Sequence, residues 1–353
     1  MTKNPYAWEK CKLENFVEIT TGKLDANAMV NDGKYDFYTS GIKKFKINIP
    51  AFTGPAITIA GNGATVGFMH LADGEFNAYQ RTYVLTKFSN SIREFLFYEI
   101  GIKLPRKISA EARTGNIPYI VMDMLTNLDV FTPTVPEQQK IGNLFKQLDH
   151  LITLHKRKWD DVILLKKALL QKMFPKNGSD FPEIRFPEFT DAWEKCKLGE
   201  IATINPKSTL PQTFNYVDLE SVVGTEMRSY KIEKLYSAPS RAQRLAKYGD
   251  IFYQTVRPYQ KNNYLFELDD ENYVFSTGYA QIRSKIYPYF LFTLIQNDRF
   301  VNEVLDNCTG TSYPAINATD LKNITIFISN NPIEQQKIGN LFKQLDRLIT
   351  LHK

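Results

Sequence analysis

A segment of twenty residues occurs twice in this chain, almost without change. Residues 137–156 read EQQKIGNLFKQLDHLITLHK and residues 334–353 read EQQKIGNLFKQLDRLITLHK, so nineteen of the twenty positions agree. A shorter segment, AWEKCKL, occurs upstream of each copy, at residues 7–13 and at residues 192–198. The same order of segments therefore appears twice, which predicts two domains of one fold.

The long repeat has the pattern of an extended helix. Apolar residues recur at about seven-residue spacing from 137 onward, and no proline interrupts the pattern before Pro175. A helix over residues 137–174 would be roughly 57 Å long, which exceeds the width of one small domain. Two nearly equal helices favour an antiparallel coiled coil with pseudo-two-fold symmetry. The alternative is that each helix packs only on its own domain.

The stretches between the repeats combine short strands with a few helices. Segments such as FTGPAITIAGNGATVGF and GDIFYQTVRP are typical of strands, whereas SIREFLFYEIGIK and YPYFLFTLIQNDRFVNEVL are typical of helices. The predicted class is therefore α+β, with two similar domains joined by long helices. We expect domain 1 at 1–136, spacer helix 1 at 137–174, a linker at 175–191, domain 2 at 192–333 and a short spacer helix 2 at 334–353.

Composition narrows the class of protein without identifying it. The 353 residues are 43% hydrophobic and 23% charged, which is typical of a soluble globular protein, and the net charge of +6 suits an acidic partner. The three cysteines are far apart and form no metal-ligand spacing with the four histidines. Neither a signal peptide nor an apolar run long enough to span a membrane is present, so we expect a cytoplasmic protein.

No catalytic signature stands out. The stretch AGNGATVG at residues 60–67 resembles a phosphate-binding loop, but it lacks the lysine of that motif and lies among strands, so a tight turn is expected. Methyltransferase, metalloprotease and catalytic-triad patterns are also missing. We therefore expect no catalytic residue and no metal site.

Basic and aromatic residues mixed with amides recur at comparable places in both variable stretches. Arg can read guanine and Asn or Gln can read adenine, while Lys, Ser and Thr hold phosphates. A solvated surface loop is the alternative for any single cluster. The candidate DNA-binding residues are Lys43, Lys44, Lys46, Tyr79, Gln80, Arg81, Arg106, Lys107, Arg113, Thr114 and Asn116, and then Gln254, Arg257, Tyr259, Gln260, Lys261, Asn262, Asn263, Thr277, Tyr279, Thr311, Ser312 and Tyr313.

Polar positions of the long repeat are also unchanged between the copies. Equal polar faces predict docking of two copies of one partner, although a recent duplication would also explain the identity. The candidate docking residues are Gln138, Gln139, Asn143 and Gln147 in the first copy, and Gln335, Gln336, Asn340 and Gln344 in the second.

The whole arrangement resembles the specificity subunit of a type I restriction-modification system. The resemblance lies in two variable domains closed by helices that start PEQQKI at Pro136 and PIEQQKI at Pro332, and in the linker RFPEFTDAWEKCKLGE. It implies two target-recognition domains that each read half of a split site in double-stranded DNA, and a helical spacer between them. It further implies two modification subunits that bring S-adenosylmethionine and methylate adenine, separate restriction and translocase subunits, and no catalysis or cofactor in this chain.

Other functions are compatible with the residues alone. The chain could be a coiled-coil scaffold without DNA specificity, a single-chain methyltransferase or nuclease, or a short or half-type specificity subunit that acts as a dimer. The second helix stops at Lys353, whereas members of the resembled family run it about as far as the first. We therefore expect that extending the C-terminus raises thermal stability.

Overall fold

The computed structural model describes residues 8–111, 118–176, 178–270, 272–310 and 312–352. The chain divides into two compact units, residues 1–154 (unit 1) and residues 155–353 (unit 2), and each contains sheets and helices. The predicted α+β class with two similar domains is confirmed. The finer division into recognition domains, spacer helices and linker stays a prediction. None of the described helices has the length and hydropathy needed to cross a membrane.

Unit 1 contains two four-stranded sheets and one two-stranded sheet. The sheets have the orders β2-β9-β6-β7 and β4-β3-β8-β5, and β1 pairs with β10. Neighbouring strands are antiparallel except β3 and β8, which are parallel. The strands are β1 (Glu9–Lys12), β2 (Glu18–Thr21), β3 (Tyr35–Tyr38), β4 (Phe45–Ile47), β5 (Phe52–Thr53), β6 (Ala56–Ala60), β7 (Met69–Ala72), β8 (Glu75–Ala78), β9 (Thr82–Thr86) and β10 (Asp129–Thr132).

Helix α1 (Arg93–Glu111) covers the first of these sheets. Its buried residues Leu96, Ile100 and Leu104 recur every fourth position and so share one helix face. They pack against Ile57 and Leu85 of the sheet to form the core of unit 1. Helix α2 (Met122–Thr126) follows, and helix α3 (Val135–Lys172) then runs for 38 residues. The predicted long helix is therefore present, and it begins and ends two residues before the predicted 137–174.

Unit 2 repeats the sheet topology of unit 1. Its sheets have the orders β12-β21-β18-β19 and β16-β13-β20-β17, with β13 and β20 parallel, and β11 pairs with β22. A small hairpin, β14 with β15, is additional. The strands are β11 (Glu194–Lys197), β12 (Ala202–Ile204), β13 (Thr213–Val217), β14 (Val222–Val223), β15 (Glu226–Met227), β16 (Lys231–Lys234), β17 (Ala242–Leu245), β18 (Asp250–Gln254), β19 (Tyr264–Leu265), β20 (Tyr273–Ser276), β21 (Tyr279–Ser284) and β22 (Thr325–Ile328).

The helices of unit 2 enclose its largest core. They are α4 (Leu198–Ile201), α5 (Pro288–Ile295), α6 (Asp298–Asp306), α7 (Ala318–Asn323) and α8 (Pro332–His352). The segment predicted as one helix at YPYFLFTLIQNDRFVNEVL is two helices, because Asn297 leaves the helical conformation and its side chain accepts from Arg299 N to cap α6.

The later turns of α3 pack antiparallel to α8 within unit 2. Residue numbers rise along α3 as they fall along α8 in two contacting pairs, His155 with His352 and Lys166 with Asp346, and Phe174, just after α3, continues the order by contacting Phe342. Val162, Leu169 and Met173 of the same stretch join the core of unit 2. The predicted antiparallel helix pair is thus present in this unit.

The first turns of each repeat pack on a helix of their own unit. Gly142 lies so close to α1 that a Cβ atom there would be 2.9 Å from the Phe95 N atom, and at Gly339 a Cβ atom would be 2.9 Å from the Phe290 N atom of α5. Each repeat helix therefore packs on its own unit at its start, as the alternative interpretation predicted. The antiparallel pairing of the two helices occurs further along.

Two predicted docking residues are buried in these contacts. The Gln138 side-chain oxygen accepts from Ile92 N at 3.0 Å, and the Gln335 oxygen accepts from Tyr287 N at 3.3 Å. Each side-chain amide also donates to a backbone carbonyl shortly before its helix. With 1% and 4% of their surface exposed, Gln138 and Gln335 hold their helices to their units, so the prediction that they dock a partner is wrong.

Candidate nucleic-acid interface

Three segments of unit 1 meet where β6 ends. The loop at 61–68 follows that strand, the turn at 79–81 joins β8 to β9, and a third segment leads into α2. Gly61 N donates to Arg81 O at 2.8 Å, and Ile120 N donates to Gly61 O at 2.7 Å. These two backbone hydrogen bonds fix the turn and the third segment against the loop.

Three equivalent segments meet in unit 2 at the end of β18. The loop at 255–263 follows that strand, and a tight turn joins β20 to β21. Thr255 N donates to Gly278 O at 3.0 Å, and Ile316 N donates to Thr255 O at 3.0 Å. Both units therefore use equivalent hydrogen bonds to present three segments of different sequence on one scaffold.

The two loops differ in backbone and in chemistry. The unit 1 loop turns at Gly63 and Gly67, whose φ angles of 88° and 82° are left-handed and suit glycine. The predicted turn at AGNGATVG is therefore observed. In unit 2, Arg257 and Lys261 adopt left-handed conformations, each with φ 55°, on either side of a short 3-10 helix, Pro258–Gln260. The unit 1 loop offers backbone groups, small side chains and Phe68, whereas the unit 2 loop offers long polar side chains.

A lysine-bearing segment joins the site of unit 1. Ser40 Oγ donates to Asn62 Oδ1 at 2.6 Å, which ties the start of this segment to the loop at 61–68. Lys46 Nζ lies 2.8 Å and Lys44 Nζ 3.9 Å from carboxylate oxygens of Asp36, so Asp36 neutralises part of the local positive charge. The three predicted residues Lys43, Lys44 and Lys46 all have exposed side chains.

His70 lies beside the lysine-bearing segment, and the shift of its pKa favours the neutral ring. Burial lowers the pKa of His70, and the charge of Lys44 lowers it further, despite the contact of its Nε2 atom with Gly41 O at 3.5 Å. The positive charge of this face therefore comes from the lysines.

The other unit 1 candidates divide into three groups. Tyr79, Gln80 and Arg81 lie on the turn beside the loop, and Gln80 and Arg81 are exposed. Arg106 and Lys107 lie on α1, where Lys107 Nζ donates to Asn127 O at 3.2 Å. The last group, Arg113, Thr114 and Asn116, lies outside the described residues.

Three of the unit 2 candidates are buried and do not face solvent. Gln254, Asn263 and Tyr279 are 3%, 0% and 0% exposed. Asn263 Oδ1 accepts from Gln254 N at 2.8 Å, so these amides organise the loop. The prediction that Gln254, Asn263 and Tyr279 contact DNA is therefore wrong for this conformation.

The remaining unit 2 candidates lie on the three segments. Tyr259 and Tyr313 are 51% and 63% exposed. Thr311 lies outside the described residues. The others are exposed or partly exposed on the loop, the turn and the third segment: Arg257, Gln260, Lys261, Asn262, Thr277 and Ser312.

Sequence reasoning missed several residues of this site. Asn62 and Thr65 lie on the unit 1 loop and bind the segment at Ser40 through their side chains. Tyr119, next to the hydrogen-bonded Ile120, is 60% exposed. The available signal was the similar spacing of the two isoleucines from the long repeat, because Ile120 lies 17 residues before Glu137 and Ile316 lies 18 residues before Glu334. This spacing marks the glycine loop as the counterpart of the arginine-bearing loop.

Six of the eight predicted docking residues are exposed on the surface of the repeat helices. These are Gln139, Asn143 and Gln147 on α3 and Gln336, Asn340 and Gln344 on α8. Three of them make side-chain hydrogen bonds: Gln139 donates to Asn143 at 3.0 Å, and Asn340 accepts from the Tyr287 hydroxyl at 2.7 Å. Within the described part of the chain, no group of three or more His, Cys, Asp or Glu side chains could hold a metal ion.

Comparisons with known proteins agree with this duplicated architecture. The family model for the type I restriction modification DNA specificity domain matches residues 5–164 and 190–353. The chain is 28% identical over 374 residues to the type I restriction enzyme EcoDI specificity subunit of Escherichia coli, covering 97% of this chain and 82% of that one. It is 24% identical to the MjaVIII specificity subunit of Methanocaldococcus jannaschii, covering 99% and 88%. A crystal structure of the S subunit from M. genitalium has a similar fold, with TM-score 0.68, 18% identity and coverage of 100% and 92%.

Proposed function

The chain belongs to the family of type I restriction modification DNA specificity domains, and we propose that it is the DNA-reading subunit of a type I restriction-modification complex. In this proposal each unit reads one half of a split site in double-stranded DNA. The chain itself carries no catalysis and binds no cofactor, while S-adenosylmethionine is held by the partner modification subunits.

One observation carries the proposal. The same hydrogen-bonded scaffold occurs in both units, yet it presents a glycine-rich loop in unit 1 and an arginine- and tyrosine-bearing loop in unit 2. Both units keep the scaffold but differ in its exposed side chains. This suits two sites that both read DNA but recognise different base sequences. Backbone and lysine contacts would position the duplex, and the exposed side chains would read base edges.

The long helices set the distance between the two half-sites in this proposal. Their exposed amide rows, at equal positions of the two repeats, dock two modification subunits, and restriction and translocase subunits join that assembly. The amide rows suit this role because they are exposed and because both copies offer the same donors and acceptors.

The DNA part is tested by selecting binding sites for the full chain with its modification subunits from a randomised duplex pool. We expect a split site whose two halves exchange places when residues 14–136 and 199–333 are exchanged between the units. Log affinity should fall linearly with log salt, with a slope near −5 for about six phosphate contacts. Enrichment without a split sequence, or no binding to duplex DNA, contradicts the proposal and favours a scaffold.

The docking part is tested separately by native mass spectrometry of the complex. Gln147→Arg and Gln344→Arg change equal positions of the two repeats, and each should remove one modification subunit while the double variant removes both. Lys156→Arg keeps its charge and serves as a control. Loss of both subunits from either single variant would contradict two independent docking faces.

A further inference from the structure

The unit 2 loop is built in a fixed conformation around a buried amide. Gln254 Nε2 donates to Val256 O at 2.7 Å and to Gln260 Oε1 at 2.9 Å, and its Oε1 accepts from Asn262 N at 3.3 Å. Left-handed backbone is unusual for residues other than glycine, and such conformations cluster at functional sites. The loop is therefore organised before any ligand arrives, which lowers the entropy cost of binding.

The two basic residues of this loop have different roles. Lys261 Nζ donates to Gln296 O at 2.9 Å and pairs with the Asp298 carboxylate, so its charge stabilises the loop. Arg257 Cζ lies 4.3 Å from the ring centroid of Tyr313, and among the described residues it forms no ion pair with a carboxylate. Its donors therefore remain available to a ligand.

The contact between Arg257 and Tyr313 favours a particular ligand chemistry. The Tyr313 ring packs against the guanidinium carbon and restricts its position, while the side-chain N–H groups of Arg257 make no hydrogen bond or ion pair with another described residue. Two parallel donors match the O6 and N7 acceptors of guanine in the major groove, and this pairing is the commonest specific contact of arginine. A phosphate would also accept these donors but would give no base preference.

The equivalent loop of unit 1 offers no such group. Residues 61–68 read GNGATVGF and contain neither arginine nor lysine. A DNA contact made by Arg257 would therefore occur only in unit 2. A contact that merely holds the DNA backbone would be expected in both units.

We infer that Arg257 reads a guanine in the half-site bound by unit 2, with Tyr313 as the positioning residue that holds the guanidinium. This inference rests on the proposed function, since it names a base within a half-site. Gln254 and Lys261 support it indirectly, because they fix the loop and do not contact the base.

The test measures affinity of the complex with its modification subunits for duplexes in which each base of the selected site is changed singly. For the wild-type chain, one guanine in the unit 2 half should be preferred by roughly 5- to 150-fold over the other bases. Arg257→Lys keeps the charge but loses the paired donors, so discrimination at that one position should fall to about twofold or less. Preferences across the unit 1 half should not change.

Variants of Tyr313 separate positioning from general loss of structure. Tyr313→Phe keeps the ring and should leave the guanine preference intact, whereas Tyr313→Leu should reduce it several-fold with an unchanged melting temperature. The inference is overturned if Arg257→Lys weakens every duplex equally, which indicates a phosphate contact, or if it alters no base preference. Failure of the wild-type complex to select any split site would instead contradict the proposed function, and this inference with it.

Discussion

His155 and His352 occupy the same position in the two copies of the repeat, and their Nδ1 atoms lie 3.1 Å apart. Equal positions of two antiparallel helices lie side by side at the point where a two-fold axis relates the helices. A neutral ring has one N–H and one free nitrogen, so one ring can donate its N–H to the free nitrogen of the other, but two protonated rings have no acceptor and repel. This pair should therefore make the helix contact sensitive to pH.

The first prediction concerns the pH dependence of unfolding. Burial lowers the pKa of His352 below its ordinary value of 6.5, and Lys158 and His155 lower it further. A depressed histidine pKa means that the unfolded chain binds the proton more readily than the folded chain. The contribution of His352 to stability is therefore fully present above pH 6.5 and is lost as the pH falls below 6.5. We expect a melting temperature that drops between about pH 7.5 and about pH 5.5, measured by circular dichroism.

Replacing His352 by Gln should flatten that pH dependence. His150 is exposed and stands at the one position where the repeats differ, so His150→Gln is a matched control that should keep the wild-type slope. Equal slopes for both variants would show that the histidine pair does not control stability.

The second prediction compares two glutamates that occupy the same position of the repeat in different environments. Arg185 donates to both carboxylate oxygens of Glu334, at 2.7 and 2.9 Å, and Glu334 is fully buried. Glu334→Gln should lower the free energy of unfolding by roughly 3 to 5 kcal/mol, because it leaves the mostly buried guanidinium of Arg185 without its carboxylate partner. Glu137 has the same place in the first repeat but is exposed, so Glu137→Gln should cost less than about 0.5 kcal/mol. Urea denaturation measures both, and similar losses would contradict the difference in environment.

The third prediction concerns the glycine that lets α8 approach α5. A Cβ atom at Gly339 would lie 2.5 Å from the Tyr287 ring and 2.9 Å from Phe290 N. Gly339→Ala should therefore destabilise the protein by about 1 to 3 kcal/mol, even though alanine favours helix. Gly101, exposed on α1, meets only the flexible end of Met69 at 3.3 Å, so Gly101→Ala should stabilise by up to about 1 kcal/mol. A stabilising Gly339→Ala in thermal unfolding would contradict the close packing.

The architecture was predictable from the sequence because it depends on patterns that the chain repeats. The second copy of the long repeat predicted both the duplicated α+β units and the antiparallel helix contact that brings His155 to His352. The repeat could not show that its two copies have different surroundings in the folded chain. Phe145 is 42% exposed and Phe342 is fully buried, because the side chains that cover Phe342 come from a distant part of the chain.

The candidate site was only partly predictable, for a physical reason. An amide that can read adenine can equally well accept from a backbone N–H, and Gln254 and Asn263 do so inside unit 2, from Asn262 N and Gln254 N respectively. Composition does not show whether such a side chain points toward solvent or into its own loop. The exposed pair formed by Arg257 and Tyr313 joins residues far apart in sequence, so only the folded chain shows that they meet.

The last prediction concerns an apolar stripe on α3 in unit 1. The stripe residues are 42–64% exposed: Leu144, Phe145, Leu148, Leu151 and Ile152. The same repeat positions on α8 include Phe342 and Leu345, which are buried in a cluster with Met173 and Phe174. Since the repeats are nearly identical, the stripe should accept a helix with the sequence of residues 157–174. Appending that sequence after Lys353 should cover it and raise the melting temperature by roughly 5 °C, because burial of several apolar side chains is favourable.

The control for this extension has the same length but serine at its apolar positions, and it should leave the melting temperature unchanged. Light scattering should show the same molar mass, apart from the added residues, for the extended and the original chain over a range of concentrations. Equal melting temperatures for the apolar and the serine extensions would show that the stripe does not accept this helix. A rise that depends on protein concentration would show pairing between chains and would favour the dimeric alternative over an intramolecular helix pair.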